Sequence, residues 1–297
     1  MSSRPGRALG NVAGRIPPPA LFVVSGLTQY LGAAIAVGLF AVVGAPEVAW
    51  LRIVVAALLL LAWRRPWRQR WTWRTLAWAA VFGVALAAMN VTFYVAIDHL
   101  PLGSAVAIEF IGPVAVAAIT GRGWRERGGI AVAAVGVVLL AGVTLTSDLP
   151  HEDVVIVLVA IGIAAACWAA YILLGRRVAL AGSGVTSLSV AMTAGALVFA
   201  PFLAPSSGAV LEDWQLLLAV VGIAVCSSVV PYVLEQLILR RVSAATFSVL
   251  LAMLPATAVV IGAVVLQQFP SWLELVGLLL VSGAIAMTAQ RTDPPPA

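Results

Sequence analysis

The chain alternates between long apolar runs and short polar punctuation, with a period too long for strands or for the helices of a soluble core. A helix crossing about 30 Å of hydrocarbon needs roughly 20 apolar residues. By that measure ten runs qualify, near 20–43, 47–63, 75–97, 102–121, 128–146, 154–175, 185–204, 214–238, 244–266 and 271–289. An acidic segment, 147–153, separates the first five from the last five. Five is odd, so the second group enters the membrane from the opposite face. The pattern predicts an all-α membrane protein of ten transmembrane helices, built as two inverted five-helix repeats. The repeats span 20–146 and 154–289, between tails at 1–19 and 290–297.

Internal similarity supports the inversion. Pro113 and Pro255 each fall about eleven residues after the start of spans four and nine, near mid-membrane. Tyr94 and Tyr232 precede them at comparable distances. Spans five and ten both carry small residues, Gly129, Gly136 and Gly142 in one and Gly277, Ser282 and Gly283 in the other, which let helices approach closely in lipid. A proline at that depth leaves a backbone carbonyl that only protein or a wet cavity can satisfy. Matched breaks in inverted halves point to a transporter's central site, whereas a single one reads as a packed kink.

Composition and charge agree. Hydrophobic residues make up 62% of the 297 and charged residues 10%, a balance that no soluble fold of this length could bury. All seventeen basic residues are arginines. Sixteen lie in the tails or in alternate loops, and the intervening loops hold Glu47, Asp98, Asp148, Glu152, Asp153, Glu212, Asp213 and Glu274. Under the positive-inside rule the arginine loops and both termini are cytoplasmic. The net charge of +5 is thus a topological signal and predicts no nucleic-acid partner. Cys167 and Cys226 lie within apolar runs, so no disulfide is expected. The proline-rich N-terminal tail does not read as a cleaved leader, because the run after it is too long.

The remaining arginine, Arg52, lies about five residues into span two, and Glu109 lies about seven residues into span four, roughly 10 Å deep at 1.5 Å per residue. Ionisable groups inside a bilayer are functional candidates. A carboxyl group held away from water suits a proton carrier, although Glu109 could also tie helices together. Arg52 requires a carboxylate: either Glu109, or Glu47, which would make it an interfacial snorkelling residue. With Glu109, the pair could be displaced by a zwitterion, its carboxylate meeting Arg52 and its ammonium meeting Glu109. Asn90 and Tyr94 share a helix face at four-residue spacing. With Gln29, Tyr30, Trp168, Tyr171 and Tyr232 they could line a polar cavity with aromatic walls. Glu235 stands one turn before Arg240 and Arg241 and reads first as their interfacial partner, second as a site residue. No HExxH, phosphate loop or Ser-His pairing occurs, so neither an enzyme nor a metal or cofactor is expected.

The stretch Met89 to Ala117, MNVTFYVAIDHLPLGSAVAIEFIGPVAVA, resembles the third and fourth helices of the threonine/homoserine exporter branch of the drug/metabolite transporter (EamA-like) superfamily. VVGAPEVAWLRI (Val42 to Ile53), ACWAAYILLGRR (Ala166 to Arg177) and VVPYVLEQLILRRVSAATFSVL (Val229 to Leu250) extend the resemblance across the membrane region. It implies two inverted halves around a central cavity, and export of amino acids or other small metabolites across the bacterial inner membrane. Proton coupling, alternating access and antiport fit that reading; the alternative cargo is a drug or amphiphilic metabolite. A membrane scaffold is the remote alternative. The expected partners are a small-molecule substrate and the bilayer, and a homodimer is compatible with the pattern. Two departures stand out: Leu254 precedes Pro255 where the family usually has glutamate, and Gln267 and Gln268 replace a Gly-Glu pair. Glu109 gains weight accordingly.

Overall fold

The computed structural model describes residues 16–120, 124–145, 150–180, 184–239, 250–251 and 253–288. Within them the regular structure is helical throughout. In hydrocarbon every backbone N–H and C=O needs an internal partner, and a helix supplies one within a single segment. We number twelve helices: α1 Pro18–Val37, α2 Ala45–Arg64, α3 Trp73–Ile97, α4 Leu102–Glu109, α5 Ile111–Thr120 and α6 Trp124–Leu145. They continue as α7 His151–Leu180, α8 Gly184–Leu203, α9 Trp214–Ala224, α10 Val230–Leu239, α11 Leu254–Val265 and α12 Trp272–Thr288. Six helical segments are long and apolar enough to cross a membrane, and Leu102–Val116, Arg127–Leu140, Leu254–Val265 and Trp272–Met287 are shorter apolar helices. Large apolar side chains such as Leu58, Val138, Val264 and Leu279 are exposed on the outside of the bundle. This is an all-α membrane protein.

Local chemistry sets the ends. Pro18 opens α1, where a missing N–H removes no helical bond. The expected first span, 20–43, is shorter than its apolar run: α1 stops at Val37, a separate turn covers Phe40–Val43, and Gly44 at φ +81° redirects the chain into α2. Thr72 and Thr75 exchange backbone and side-chain hydrogen bonds in a capping box that starts α3. Helix α7 begins at His151, so the last three residues of the expected 147–153 linker are helical. The first part of span nine, 244–249, lies outside the described residues.

Packing places α3 at the centre, against α7 on one side and α8 on the other. Helix α8 also packs on α2, and Trp50 of α2 donates its indole N–H to the Ala196 carbonyl at 2.8 Å. Helix α1 is held by α10 and α11, α4 by α11, and α6 by α12. Where helices meet most closely, glycine is obligatory. A Cβ at Gly83 of α3 would overlap the Ala191 carbonyl of α8, and one at Gly136 of α6 would sit 2.9 Å from the Gly277 carbonyl oxygen of α12. Small residues at helix contacts replace the hydrophobic driving force that lipid does not provide.

The candidate substrate site

Span four is divided between α4 and α5 at Phe110. Pro113 has no N–H to offer the Glu109 carbonyl four residues earlier, and its ring crowds that carbonyl. The helix therefore breaks three residues before the proline, immediately after the candidate carboxylate. Phe110 is fully buried and meets the Trp168 ring edge-on, with centroids 4.5 Å apart and planes at 67°. Pro255 behaves likewise within the described part of span nine. Leu250 and Leu251 are helical, Met253 is a turn, and α11 starts at Leu254 with the proline in its first turn. The break abuts α1, because the Thr257 hydroxyl, bonded to the Leu254 carbonyl at 2.8 Å, lies against Gly26.

Arg52 of α2 is 3% exposed, and its guanidinium is held by α3. One terminal nitrogen donates to the Tyr94 hydroxyl at 2.9 Å and the other to the Asn90 side-chain oxygen. The guanidinium carbon lies 4.5 Å from the centroid of the Tyr94 ring, a cation–π contact. Asn90 is oriented for this role: its own amide donates to the Leu86 carbonyl at 2.7 Å, which turns its oxygen toward Arg52. Asn90 and Tyr94 are thus brought together on one face of α3, as their spacing predicts.

Neither carboxylate expected to pair with Arg52 does so. Glu47 instead accepts from the Ser206 hydroxyl at 2.8 Å. Glu109, 7% exposed, makes no hydrogen bond or ion pair among the described residues, although Arg52 is the charge that acts on it electrostatically. The physical reason is that two neutral acceptors and a ring face satisfy much of a guanidinium without a counter-ion. They leave Arg52 Nε buried with no partner among the described residues. Arg52 and Glu109 are thus both buried, and neither is paired with the other among the described residues.

The other half of the chain closes the cluster. Tyr232 of α10 has Arg52, Asn90, Glu235 and Glu109 as its electrostatic neighbours, and Tyr30 of α1 has Glu109 and Glu235. Trp168 flanks the break, whereas Tyr171, one turn on, stacks on Phe82 at 4.8 Å. Between α9 and α10, Val225–Val229 form a π-helical turn, and Ser227 in it donates to the Gln29 carbonyl at 2.7 Å. Sequence reasoning missed this turn. Its indirect signal is Gly32 on α1, whose missing side chain admits Ser227. Arg240 and Arg241, the expected partners of Glu235, lie outside the described residues.

The EamA-like transporter family matches residues 155–290. The threonine/homoserine exporter RhtA of Salmonella typhimurium (strain LT2) is 36% identical over 253 residues, covering 85% of this chain and 84% of its own. The protein of the same name from Escherichia coli (strain K12) is 36% identical over 261 residues, covering 88% and 87%. A crystal structure with 18% sequence identity superposes with a TM-score of 0.59 over 91% of this chain and 96% of that one, a likeness of fold.

Proposed function

We propose an amino-acid cargo for this chain, which belongs to the EamA-like transporter family, in the threonine/homoserine exporter branch of the drug/metabolite transporter superfamily. It is a multi-pass exporter of the bacterial inner membrane. The observation that carries the cargo reading is the incomplete satisfaction of two opposite charges among the described residues: Arg52 Nε has no partner there and Glu109 makes no hydrogen bond. The α-carboxylate of an amino acid bonds to Arg52, whose other donors Asn90 and Tyr94 hold in place. Its ammonium group bonds to Glu109. Trp168 and Tyr232 wall the cavity around the side chain, with Tyr171 beside them.

Glu109 can hold a proton or an ammonium group, but not both strongly. Protonation from the external side displaces the substrate, and deprotonation toward the cytoplasm lets the next one bind. That exclusion is sufficient for proton-for-substrate antiport, with no further coupling group required.

Alternating access follows from two inverted halves, 20–146 and 154–289, moving about the Pro113 and Pro255 breaks. Packing supports this reading, because the partners repeat when each helix is exchanged for the one five spans on. Helix α3 on α7 corresponds to α10 on α1, α3 on α8 to α9 on α2, and α5 on α7 to α11 on α1. The contacts of α2 with α8, α4 with α11 and α6 with α12 map onto themselves. The family match to 155–290 starts within a residue of the second half.

The test is uptake of labelled threonine and homoserine into proteoliposomes under an imposed pH gradient, comparing wild type with Glu109→Gln. Uptake that follows the gradient in wild type and ignores it in the variant supports the mechanism. A folded wild type that moves neither substrate overturns the amino-acid cargo and turns the search to cationic and amphiphilic compounds.

A further inference from the structure

The loop between α2 and α3 holds more arginine than any other. Arg64, Arg65, Arg68, Arg70 and Arg74, five of the seventeen, fall within eleven residues, interleaved with Trp67, Trp71 and Trp73. No acidic residue occurs between Glu47 and Asp98, which lie at the far ends of α2 and α3. The next densest arginine loop, 122–127, contains Glu126. An excess of positive charge suffices for the positive-inside rule, which requires neither this density nor the tryptophans.

The fold makes the run a fixed turn level with the helix ends. The apolar segments Ala45–Arg68 and Trp73–Ile97 leave only Gln69 to Thr72 between them. Arg65, at φ +47°, ends α2, and Pro66–Arg68 form a 3-10 turn in which Gln69 N–H donates to the Pro66 carbonyl at 3.0 Å. The Trp71 indole N–H donates to the same carbonyl at 2.9 Å, and Thr72 then caps α3. Arg64 is engaged within the protein: its Nε donates to the Thr186 hydroxyl of α8 at 3.2 Å. Arg65, Arg68, Arg70 and Arg74 are exposed, as are Trp67 at 66% and Trp73 at 82%. Leu59 and Trp63, one turn apart on α2, continue an exposed apolar strip from the turn toward mid-membrane.

Guanidinium forks match pairs of phosphate oxygens, and tryptophan rings settle at headgroup level. Four or more arginines beside a membrane span are the charge complement of an acidic leaflet. We propose that the α2–α3 turn is a docking surface for acidic phospholipid. Arg65, Arg68, Arg70 and Arg74 hold the headgroup phosphates, Trp67 and Trp73 set the depth, and an acyl chain lies along Leu59 and Trp63. A free phosphate would satisfy the arginines but leave the strip uncovered. Because α2 carries Arg52 and α3 carries Asn90 and Tyr94, lipid bound at the turn braces the two helices that build the substrate site. The surface does not depend on the identity of the cargo.

The experiment measures binding of phosphatidylglycerol, labelled on its acyl chain, to the full-length protein in nonionic detergent. The competitors are unlabelled phosphatidylglycerol, phosphatidylcholine and glycerol phosphate. Phosphatidylglycerol should compete at least about tenfold better than phosphatidylcholine, and glycerol phosphate should not compete. Arg70→Gln should weaken binding about fivefold, the attraction of one arginine to a charged headgroup surface. The triple variant Arg65→Gln, Arg68→Gln, Arg70→Gln should weaken it more than about tenfold, and the single variant stands in if the triple does not fold. Removing the same charge from the N-terminal tail, with Arg4→Gln, Arg7→Gln and Arg15→Gln, should leave binding within about twofold. Equal competition by the two lipids in wild type overturns the proposal without any variant. Unchanged binding in the folded loop variants overturns it too, as does an equal loss in the tail variant, which marks net charge alone. Displacement by glycerol phosphate overturns the lipid and marks a site for a free anion.

Discussion

The Arg52 guanidinium donates to the Tyr94 hydroxyl at 2.9 Å while lying 4.5 Å from the centroid of the same ring. One side chain thus holds the cation through both its edge and its face, and Asn90, one turn earlier, takes the other terminal nitrogen. Lysine cannot reproduce this grip, because its ammonium is a point charge with no planar fork. Arg52→Lys should lose transport at least tenfold even when it folds, in proteoliposome uptake. Tyr94→Phe keeps the ring and loses one charge-assisted bond, so it should cost about 1.5–3 kcal/mol of local stability, read as a lower melting temperature in detergent.

The break between α4 and α5 makes a separate prediction. Pro113→Ala restores an N–H to the Glu109 carbonyl and removes the ring that crowds it. A proline inside a helix costs about 3 kcal/mol, so the variant should melt at a higher temperature. It should also transport poorly, because a continuous span four cannot bend at the site. A Pro113→Ala variant that is more stable and fully active would remove the break from the mechanism.

Two glycines give a paired test of helix packing. At Gly83 an added Cβ runs into the Ala191 backbone, which has no rotamer to yield, whereas at Gly162 nothing lies within 4 Å. Gly83→Ala should destabilise by about 1–3 kcal/mol. Gly162→Ala, exposed within α7, should be neutral or stabilise by about 0.5–1 kcal/mol through helix propensity. Thermal melts of the two variants, measured side by side, decide it.

The acidic-loop end of the bundle ties α4 to the segment from Gln268 to Glu274. The Ser104 hydroxyl donates to Glu274 at 2.7 Å, and the Leu102 backbone N–H donates to the Gln268 side chain at 3.0 Å. If the halves rock, these bonds must open for substrate to leave. Glu274→Ala should shift the equilibrium toward the open form by about tenfold, the equivalent of one charge-assisted bond. Labelling of an Ala105→Cys reporter by a membrane-impermeant maleimide should speed up accordingly, and an unchanged rate would show that the latch is not part of the gate.

Most of the architecture was legible in the chain. Apolar run lengths located most of the helices, because hydrocarbon thickness sets a minimum length that composition must meet, but the first ends at Val37 instead of 43 and α7 runs past both expected bounds. Pro113 located the break, since a missing N–H acts through its own helix four residues away. Asn90 and Tyr94 were readable as a pair for the same reason: helical spacing is local. The pairing of Arg52 with a carboxylate was not legible correctly. Charge alone suggested Glu109 or Glu47, and nothing local showed that α3 would present two neutral acceptors and a ring at the right depth. The expected pairing of Glu235 with Arg240 and Arg241 falls outside the described residues.

The sequence by itself determined what the bilayer demands: helices, their lengths, the alternation of arginine and acid between loops, and where the backbone breaks. These are contests between each segment and its solvent, decided within a turn or a span. Tertiary structure alone decided which partners each buried charge meets. A guanidinium, a carboxylate and a ring form a site only when separate helices bring them to one depth and one azimuth. That arrangement depends on close contacts such as Gly83 with Ala191, which no single segment encodes.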